Sequence, residues 1–342
     1  MKVLVTGATG FVGSHILRAL RDVSDIEVIA ACRSLKKLPD FFDGEVRIGD
    51  FIDPRYRKSV MKGIDVVCNT GSFGTFWGHY KQEQKFFYEP TRDLIDQAIQ
   101  QGVKRFIQTS TITLGPIARD KDAPPTDDFS LARRKTGFWP HVDFLMDLDR
   151  YMRQKSDQGM QMITMRLGHF IGSGNTSGLL PMLLPRMRTH MVPWLEGGRM
   201  QLPLVTGEDM GNAFKLAVLA NPLEKYESFN IAGSENPTMR ELFTFLAQET
   251  GFPTPHYSVS YPAAYAFGWL MEKLNTILPG DPFLMRSIVF VSENWVPTVE
   301  YAHKKLGYAP QIDWRGAIRE QIAEIQHRKY PWPRTVVSKL TR

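Results

Sequence analysis

Gly7-Ala8-Thr9-Gly10-Phe11-Val12-Gly13 joins an apolar stretch, Val3–Thr6, to Ser14–Arg21, which has the residue spacing of a helix. In a turn from a strand to a helix, the first glycine permits the sharp bend and the second lets backbone N–H groups approach a pyrophosphate. The third glycine lets the helix pack on the sheet. The helix N-terminus adds partial positive charge beside the anion. We therefore predict that Gly7, Thr9, Gly10, Phe11, Val12 and Gly13 bind a dinucleotide.

Strand-like and helix-like stretches alternate through the first half of the chain. The predicted helices include Arg92–Gln101 and Asp143–Lys155. This alternation is typical of an α/β fold, a Rossmann-type doubly wound parallel sheet with helices on both faces. After the glycine turn, the predicted strands are Glu27–Cys32, Glu45–Ile48, Asp65–Cys68, Arg105–Thr109 and Met162–Leu167.

The rhythm changes after about Gly174, where Pro and Met become frequent and helical pieces dominate. We predict helices at Thr238–Glu249, Tyr261–Leu278 and Trp314–His327. The expected organisation is an NAD(P)-binding Rossmann domain over 1–173, to which 201–233 returns. A smaller, mostly helical C-terminal lobe that binds substrate is expected from 174–200 and 234–342.

The net positive charge favours an anionic partner without identifying one. The 342 residues carry a formal net charge of +6, but part of the excess lies after His327, where a basic tail is expected. Elsewhere no Lys/Arg stripe with interleaved aromatics occurs, so we expect no nucleic-acid partner.

The two cysteines, Cys32 and Cys68, lie in apolar strand-like runs. They are expected to be small buried hydrophobes and not a disulfide or a metal site.

The chain opens on a strand, and no apolar run reaches the length that a membrane-spanning helix needs. We therefore expect no signal peptide, no membrane span and a cytoplasmic location.

The end of the second predicted strand bears on the choice of cofactor. NAD-binding domains usually have a carboxylate there to hold the ribose 2′-hydroxyl. Here the sequence reads Ala31-Cys32-Arg33-Ser34, followed by Lys36 and Lys37. A guanidinium suits a 2′-phosphate, so Arg33 and Lys37 predict NADP(H) as the cofactor, with NAD possible. An ordinary solvated arginine is the other interpretation.

Thr6–Gly13 resembles the opening of the extended short-chain dehydrogenase/reductase family, and the likeness continues along nearly the whole chain. Gly49-Asp50-Phe51-Ile52-Asp53 is similar to that family's adenine-binding segment, which implies roles for Asp50 and Phe51. Asn69-Thr70-Gly71 resembles the strand end beneath the nicotinamide-side ribose, and Val103–Ser110 resembles the strand that ends in the catalytic serine. Lys304–Pro310 and the predicted helix Tyr261–Leu278 are most similar to the dihydroflavonol reductase and 3β-hydroxysteroid dehydrogenase branch.

The resemblance implies catalysis by Ser110 together with a Tyr-x-x-x-Lys pair, which this chain lacks at the expected place. Tyr151 and Lys155 match the pattern literally. However, Tyr151 precedes Arg166 of the next strand by too few residues for a full helix to lie between them, so we expect Tyr151 at the far end of its helix. Counting back to the start of that helix places His141 where the tyrosine belongs and Leu145 where the lysine belongs.

His141 can donate a proton at neutral pH without a lysine beside it, because the imidazolium has an ordinary pKa near 6.5. We therefore predict Ser110 and His141 as the catalytic residues. Asp143, His79 and Tyr80 are further candidates for the proton donor, and a purely structural role for His141 stays open.

Three segments are expected to surround a substrate beyond the carboxyl ends of the strands: Ser72–Trp77, Gly168–Ile171 and Met182–Trp194. They are rich in aromatic residues and Met, so a bulky, mainly apolar ketone or alcohol fits them better than a nucleotide sugar. The same residues could serve only to pack the two lobes together.

Three functions remain open at this stage. The first is an NADP(H)-binding oxidoreductase acting on a carbonyl/alcohol pair of a small molecule, with His141-x-x-x-Leu145 in place of the usual pair. The others are a non-catalytic NAD(P)-binding sensor or scaffold and an NAD-dependent sugar epimerase/dehydratase. The resemblance also implies a possible homodimer.

Overall fold

Parallel strands alternate with helices over most of the chain in the computed structural model, which describes residues 1–117, 135–278 and 280–327. The basic tail expected after His327 lies outside these residues. The strands are β1 (Lys2–Thr6), β2 (Glu27–Cys32), β3 (Glu45–Ile48), β4 (Val66–Asn69), β5 (Arg105–Thr111), β6 (Gln161–Leu167), β7 (His169–Ile171), β8 (Trp194–Leu195), β9 (Leu204–Thr206), β10 (Tyr226–Ile231) and β11 (Ser258–Val259).

Seven of these strands form one parallel sheet in the order β10-β6-β5-β4-β1-β2-β3. The strand order reverses between β1 and β4, and in open α/β sheets ligands bind beyond the carboxyl ends of the strands at such a point. The central strands are apolar on both faces because helices cover both. Val5 and Cys68 face one side, and Leu4 and Val67 face the other. The predicted Rossmann-type fold is confirmed.

The helices are described by the structure as follows: α1 (Phe11–Leu20), α2 (Pro54–Val60), α3 (Tyr80–Glu83), α4 (Glu89–Gln100), α5 (Pro140–Lys155), α6 (Leu179–Arg188), α7 (Gly207–Leu219), α8 (Met239–Thr250), α9 (Tyr261–Leu274), α10 (Arg286–Val291), α11 (Glu300–Leu306) and α12 (Trp314–His327). A π-helical segment, Gln84–Tyr88, joins α3 to α4. α9 ends four residues before the predicted boundary, and α5 begins three residues earlier than predicted because Pro140 serves as its first residue.

Two apolar cores flank the sheet. α1 and α7 pack on one face through Ile16, Leu17 and Phe214, and α4 packs on the other through Leu94 and Ile95. Both cysteines are buried and free, as expected.

A separate core lies in the C-terminal half, where α6, α8 and α12 enclose Leu184, Leu242 and Ile318. Two short parallel pairs, β7–β9 and β8–β11, accompany it. β10 returns to the main sheet, and α11 packs on that strand; the Tyr308 hydroxyl, just beyond α11, donates to the carbonyl of Ala232. No helix among the described residues is long and apolar enough to cross a membrane.

Candidate functional site

The glycine turn after β1 has the geometry that a bound pyrophosphate requires. Gly7 has a φ of +62°, and a methyl group there would lie 2.8 Å from Oγ1 of Thr70. A methyl group at Gly13 would lie 2.3 Å from the carbonyl oxygen of Gly7, so only glycine lets α1 start this close to the turn. Gly10 caps α1, and no side chain among the described residues caps that helix. Its first N–H groups are therefore open to an anion, and the turn fits a dinucleotide.

Two other predicted segments lie along the same edge of the sheet. Arg33 and Lys37 follow β2, are exposed, and form no ion pair within the described ranges. Asp50 follows β3, and its carboxylate accepts a hydrogen bond from the backbone N–H of Ile52 at 3.0 Å. Phe51 packs edge-on against Tyr56.

Asn69 connects three strands of the sheet. Its Oδ1 accepts from the hydroxyl of Thr6, and its Nδ2 donates to Oε1 of Gln108 at 2.8 Å. The buried amide therefore ties β1, β4 and β5 together at their carboxyl ends. Thr70 and Gly71, the next two residues, line a cavity at this edge of the sheet.

The cavity has a volume of about 760 Å³ and extends from the glycine turn to the C-terminal lobe. This volume is within the range of small-molecule sites. Val12, Thr70 and Gly71 line the end at the glycine turn, and all three predicted rim segments contribute to the cavity. Most of the wall is apolar; representative residues are Phe76, Leu145, Met182, Leu183, Phe243 and Phe267.

Ser110 and His141, the two predicted catalytic residues, both line this cavity. Ser110 is the sixth residue of β5, and its hydroxyl is buried without a hydrogen-bond partner among the described residues. A buried hydroxyl without a partner is costly, so at a cavity wall it is expected to bond to a molecule in the cavity, a ligand or water. Thr109 Oγ1 and His169 Nε2 are further unpartnered atoms on residues that line the cavity.

Glu83 holds the ring of His141. The Nδ1 atom of His141 lies 3.2 Å from Oε2 of Glu83, whose side chain is completely buried. The other oxygen of Glu83 accepts from the backbone N–H and the hydroxyl of Thr75, at 2.7 and 2.9 Å. A carboxylate beside Nδ1 fixes the proton on that nitrogen. Nε2 is then the nitrogen free for chemistry, and it lies near Gly74.

The local sequence explains how these residues meet. Pro140 starts α5 and places His141 in its first turn. The indole N–H of Trp139 donates to the carbonyl of Thr75 at 2.7 Å, which fixes the loop after β4 against α5. The π-helical segment begins directly after Glu83, and such segments are frequent at functional sites.

Glu83 was missed by the sequence reasoning. It lies in the polar run Tyr80-Lys81-Gln82-Glu83, which has the composition of an exposed helix. The nearby candidates, His79 and Tyr80, are not among the residues lining the cavity. The loop after β4 was therefore the correct place to search, but nothing in the residue spacing distinguished the buried carboxylate.

The carboxylate of Asp143 binds the backbone of the loop before α5. Its two oxygens accept from the backbone N–H groups of Thr136 and Gly137, at 2.6 and 2.9 Å. Each oxygen holds a backbone N–H, and Asp143 is not among the residues that line the cavity, so we assign it a structural role.

Tyr151 and Lys155 lie at the far end of α5. The Tyr151 hydroxyl donates to Asp96, and Lys155 pairs with the same carboxylate at 3.1 Å. Burial and Asp96 raise the pKa of Tyr151. Neither residue lines the cavity.

A parallel sheet with an open glycine turn, and a cavity between its carboxyl edge and a second lobe, defines an NAD(P)-binding Rossmann protein of the short-chain dehydrogenase type. Residues 3–232 match the model of the NAD dependent epimerase/dehydratase family, and the chain belongs to that family.

Two curated relatives cover nearly the whole chain. A 2-alkyl-3-oxoalkanoate reductase from Stenotrophomonas maltophilia is 25% identical over 334 residues, which are 93% of this chain and 98% of the relative. A putative dihydroflavonol 4-reductase from Synechocystis is 22% identical, with 95% of each chain covered. Among solved structures, a UDP-glucuronic acid 4-epimerase from Bacillus cereus, in complex with UDP-glucuronic acid and NAD, has the same fold. Its TM-score is 0.72 at 16% identity, with 96% of this chain and 99% of that chain covered.

Proposed function

We propose that this protein is an NADP(H)-dependent oxidoreductase that interconverts a ketone and an alcohol in a bulky, largely apolar small molecule. One observation carries the proposal: an unpartnered serine hydroxyl and a histidine held by a buried carboxylate line one cavity that reaches the glycine turn. In this proposal Ser110 donates a hydrogen bond to the substrate oxygen, and His141 exchanges a proton with it.

The cofactor, when bound, supplies or accepts the hydride. Its diphosphate would meet the first N–H groups of α1 at Gly10, and Arg33 would meet the 2′-phosphate. During reduction of the ketone, the Nε2–H bond of protonated His141 breaks and its electron pair stays on nitrogen. The proton passes to the substrate oxygen, so the alcohol forms and His141 is left neutral.

Glu83 completes this arrangement because its charge favours a proton on Nδ1 of His141 and balances the charge of the protonated ring. A positioned proton donor contributes about 10²- to 10⁴-fold to a rate. Leu145, one helical turn after His141, adds only apolar wall. The chemistry we propose therefore replaces a tyrosine–lysine pair with a histidine–glutamate pair.

The relatives support the substrate class. The relative from Stenotrophomonas maltophilia is named for reduction of a ketone that carries alkyl chains. A cavity lined by Met182, Phe243 and Phe267 suits such chains. A nucleotide sugar would need several cations around its diphosphate, and Arg186 is the only Arg or Lys among the described residues that line the cavity.

The test is steady-state oxidation of NADPH at 340 nm with a panel of 3-oxo compounds of increasing alkyl chain length. We expect turnover by the wild-type protein and a loss of kcat of about 100-fold or more in His141→Ala and Ser110→Ala. Tyr151→Phe serves as the matched control. Tyr151 belongs to the literal Tyr-x-x-x-Lys match but lies outside the cavity, so the kcat of this variant should stay unchanged.

Two results would contradict the proposal. Tight NADPH binding without turnover of any substrate would indicate a sensor or scaffold. NAD(H) that remains bound through purification, together with interconversion of sugar nucleotides, would indicate an epimerase.

A further inference from the structure

Arg186 is the single Arg or Lys among the described residues that line the cavity. It lies on α6, and the same cavity is lined by Met182 and Leu183 of that helix and by Phe243. One guanidinium nitrogen donates to the carbonyl of Met182 at 2.8 Å. No carboxylate among residues 1–117, 135–278 and 280–327 lies within ion-pair distance of it.

The surroundings make this charge expensive to maintain. Burial lowers the pKa of the Arg186 guanidinium, and no opposing charge raises it. Arg186 is half-buried, and a charge that loses part of its solvation by water is usually paired with a charge of opposite sign. The guanidinium has five N–H donors, and one nitrogen bonds to the carbonyl of Met182. Its nitrogens are not among the fully buried atoms without a partner in the described chain, so the other donors are open to water or to a ligand.

Helix position explains part of this arrangement. A cation in the last turn of α6 interacts favourably with the helix dipole. Arg188, two residues further along the same helix, has that benefit while remaining exposed. The helix dipole therefore does not explain why Arg186 lines a cavity. An anionic group of a bound ligand would explain its position.

We propose that Arg186 binds the carboxylate of the substrate, so that the natural ligand is a 3-oxo or 3-hydroxy carboxylic acid with long or branched alkyl groups. This inference rests on the function proposed above and names its substrate class. A carboxylate matches the planar fork of a guanidinium through two parallel hydrogen bonds. The single cation suits one carboxylate, whereas a diphosphate needs more donors.

The experiment compares a 2-alkyl-3-hydroxyalkanoate with its methyl ester, oxidised with NADP⁺; the hydroxy acid avoids the spontaneous decarboxylation of a 3-oxo acid. We expect the wild-type kcat/KM to be about 10- to 100-fold higher for the acid. Arg186→Met should remove this preference, mainly by raising KM for the acid, so that acid and ester react with similar kcat/KM. Arg186→Lys should keep part of it, and Arg188→Met should keep all of it.

Binding of the acid to the cofactor-loaded protein, measured by calorimetry, tests the inference apart from turnover. Weaker binding of the acid to Arg186→Met, with equal thermal stability, supports it even if neither compound is oxidised, in which case only the proposed function fails. Equal affinity of the wild type for acid and ester, or an equal loss of both in Arg186→Met, overturns it.

Discussion

The Nδ1 atom of His141 lies 3.2 Å from Oε2 of the completely buried Glu83. The second oxygen of Glu83 accepts two hydrogen bonds from Thr75, so the carboxylate cannot rotate without losing them. This bond connects two elements that are 58 residues apart in sequence. It gives the histidine an orientation and a countercharge that the helix alone does not provide.

Glu83→Gln should lower kcat by about 100-fold with little change in KM. The amide oxygen would keep the two bonds from Thr75, so the NH₂ group would face His141 and donate to Nδ1. The histidine proton would then stay on Nε2 of a neutral ring, which is a poor proton donor. Steady-state kinetics measure the effects on kcat and KM separately. Thr75→Val, which removes only the hydroxyl contact, should lower kcat less. Equal kcat in Glu83→Gln and the wild type would exclude a role for this pair.

The parts that the sequence could predict depend on local chemistry. The glycine turn requires a backbone that only glycine permits at Gly7 and Gly13. Ser110 and His141 each have a position set by the end of a strand or the start of a helix, so counting along the chain was enough to bring them to one cavity.

The parts that the sequence could not predict depend on contacts between distant segments. Glu83 and Arg186 are charged residues in helices, and such residues are usually solvated. Only the three-dimensional packing shows that one is buried behind His141 and that the other lines an apolar cavity. Asp143 was ambiguous for the same reason, because its backbone partners at Thr136 and Gly137 depend on the path of a loop.

Gly10→Val should weaken NADPH binding by at least about 10-fold while the protein stays folded. Gly10 has a φ of −86°, which any residue can adopt, and a Cβ there would lie 3.2 Å from the carbonyl oxygen of Gly7, so the turn must shift by a few tenths of an ångström. The side chain would also cover the first N–H groups of α1. Fluorescence titration with NADPH gives the affinity, and circular dichroism confirms the fold. An unchanged affinity would mean that the diphosphate binds elsewhere.

Arg33→Ser should raise the Kd for NADPH by about 10- to 100-fold and leave that for NADH unchanged, because only NADPH carries the 2′-phosphate. Arg33 is exposed and has no ion pair among the described residues, so its removal should not disturb the fold. Arg55→Ser, at another exposed arginine, is the control. If Arg33→Ser weakened the binding of NADPH and NADH equally, Arg33 would not distinguish the two cofactors.

His15 should make the ligand-free protein less stable as the pH falls from about 6.5 towards 4. Burial, with a smaller contribution from Arg18, lowers the pKa of His15 to about 4. Over that interval the unfolded chain binds a proton at His15 that the folded protein does not bind. The contribution of neutral His15 to the free energy of unfolding is therefore complete above pH 6.5 and is lost with acidification. The loss should reach about 3 kcal/mol in the free energy of unfolding.

Urea unfolding at several pH values measures this effect. His15→Gln should reduce the pH dependence by that amount, and the part that remains should come from groups such as His169, whose pKa burial also lowers to about 4. His327→Gln, at an exposed histidine at the end of α12, should leave the profile unchanged. A pH profile that is the same in His15→Gln and the wild type would show that His15 protonates alike in both states, in conflict with its packing between Phe11 and Gly207.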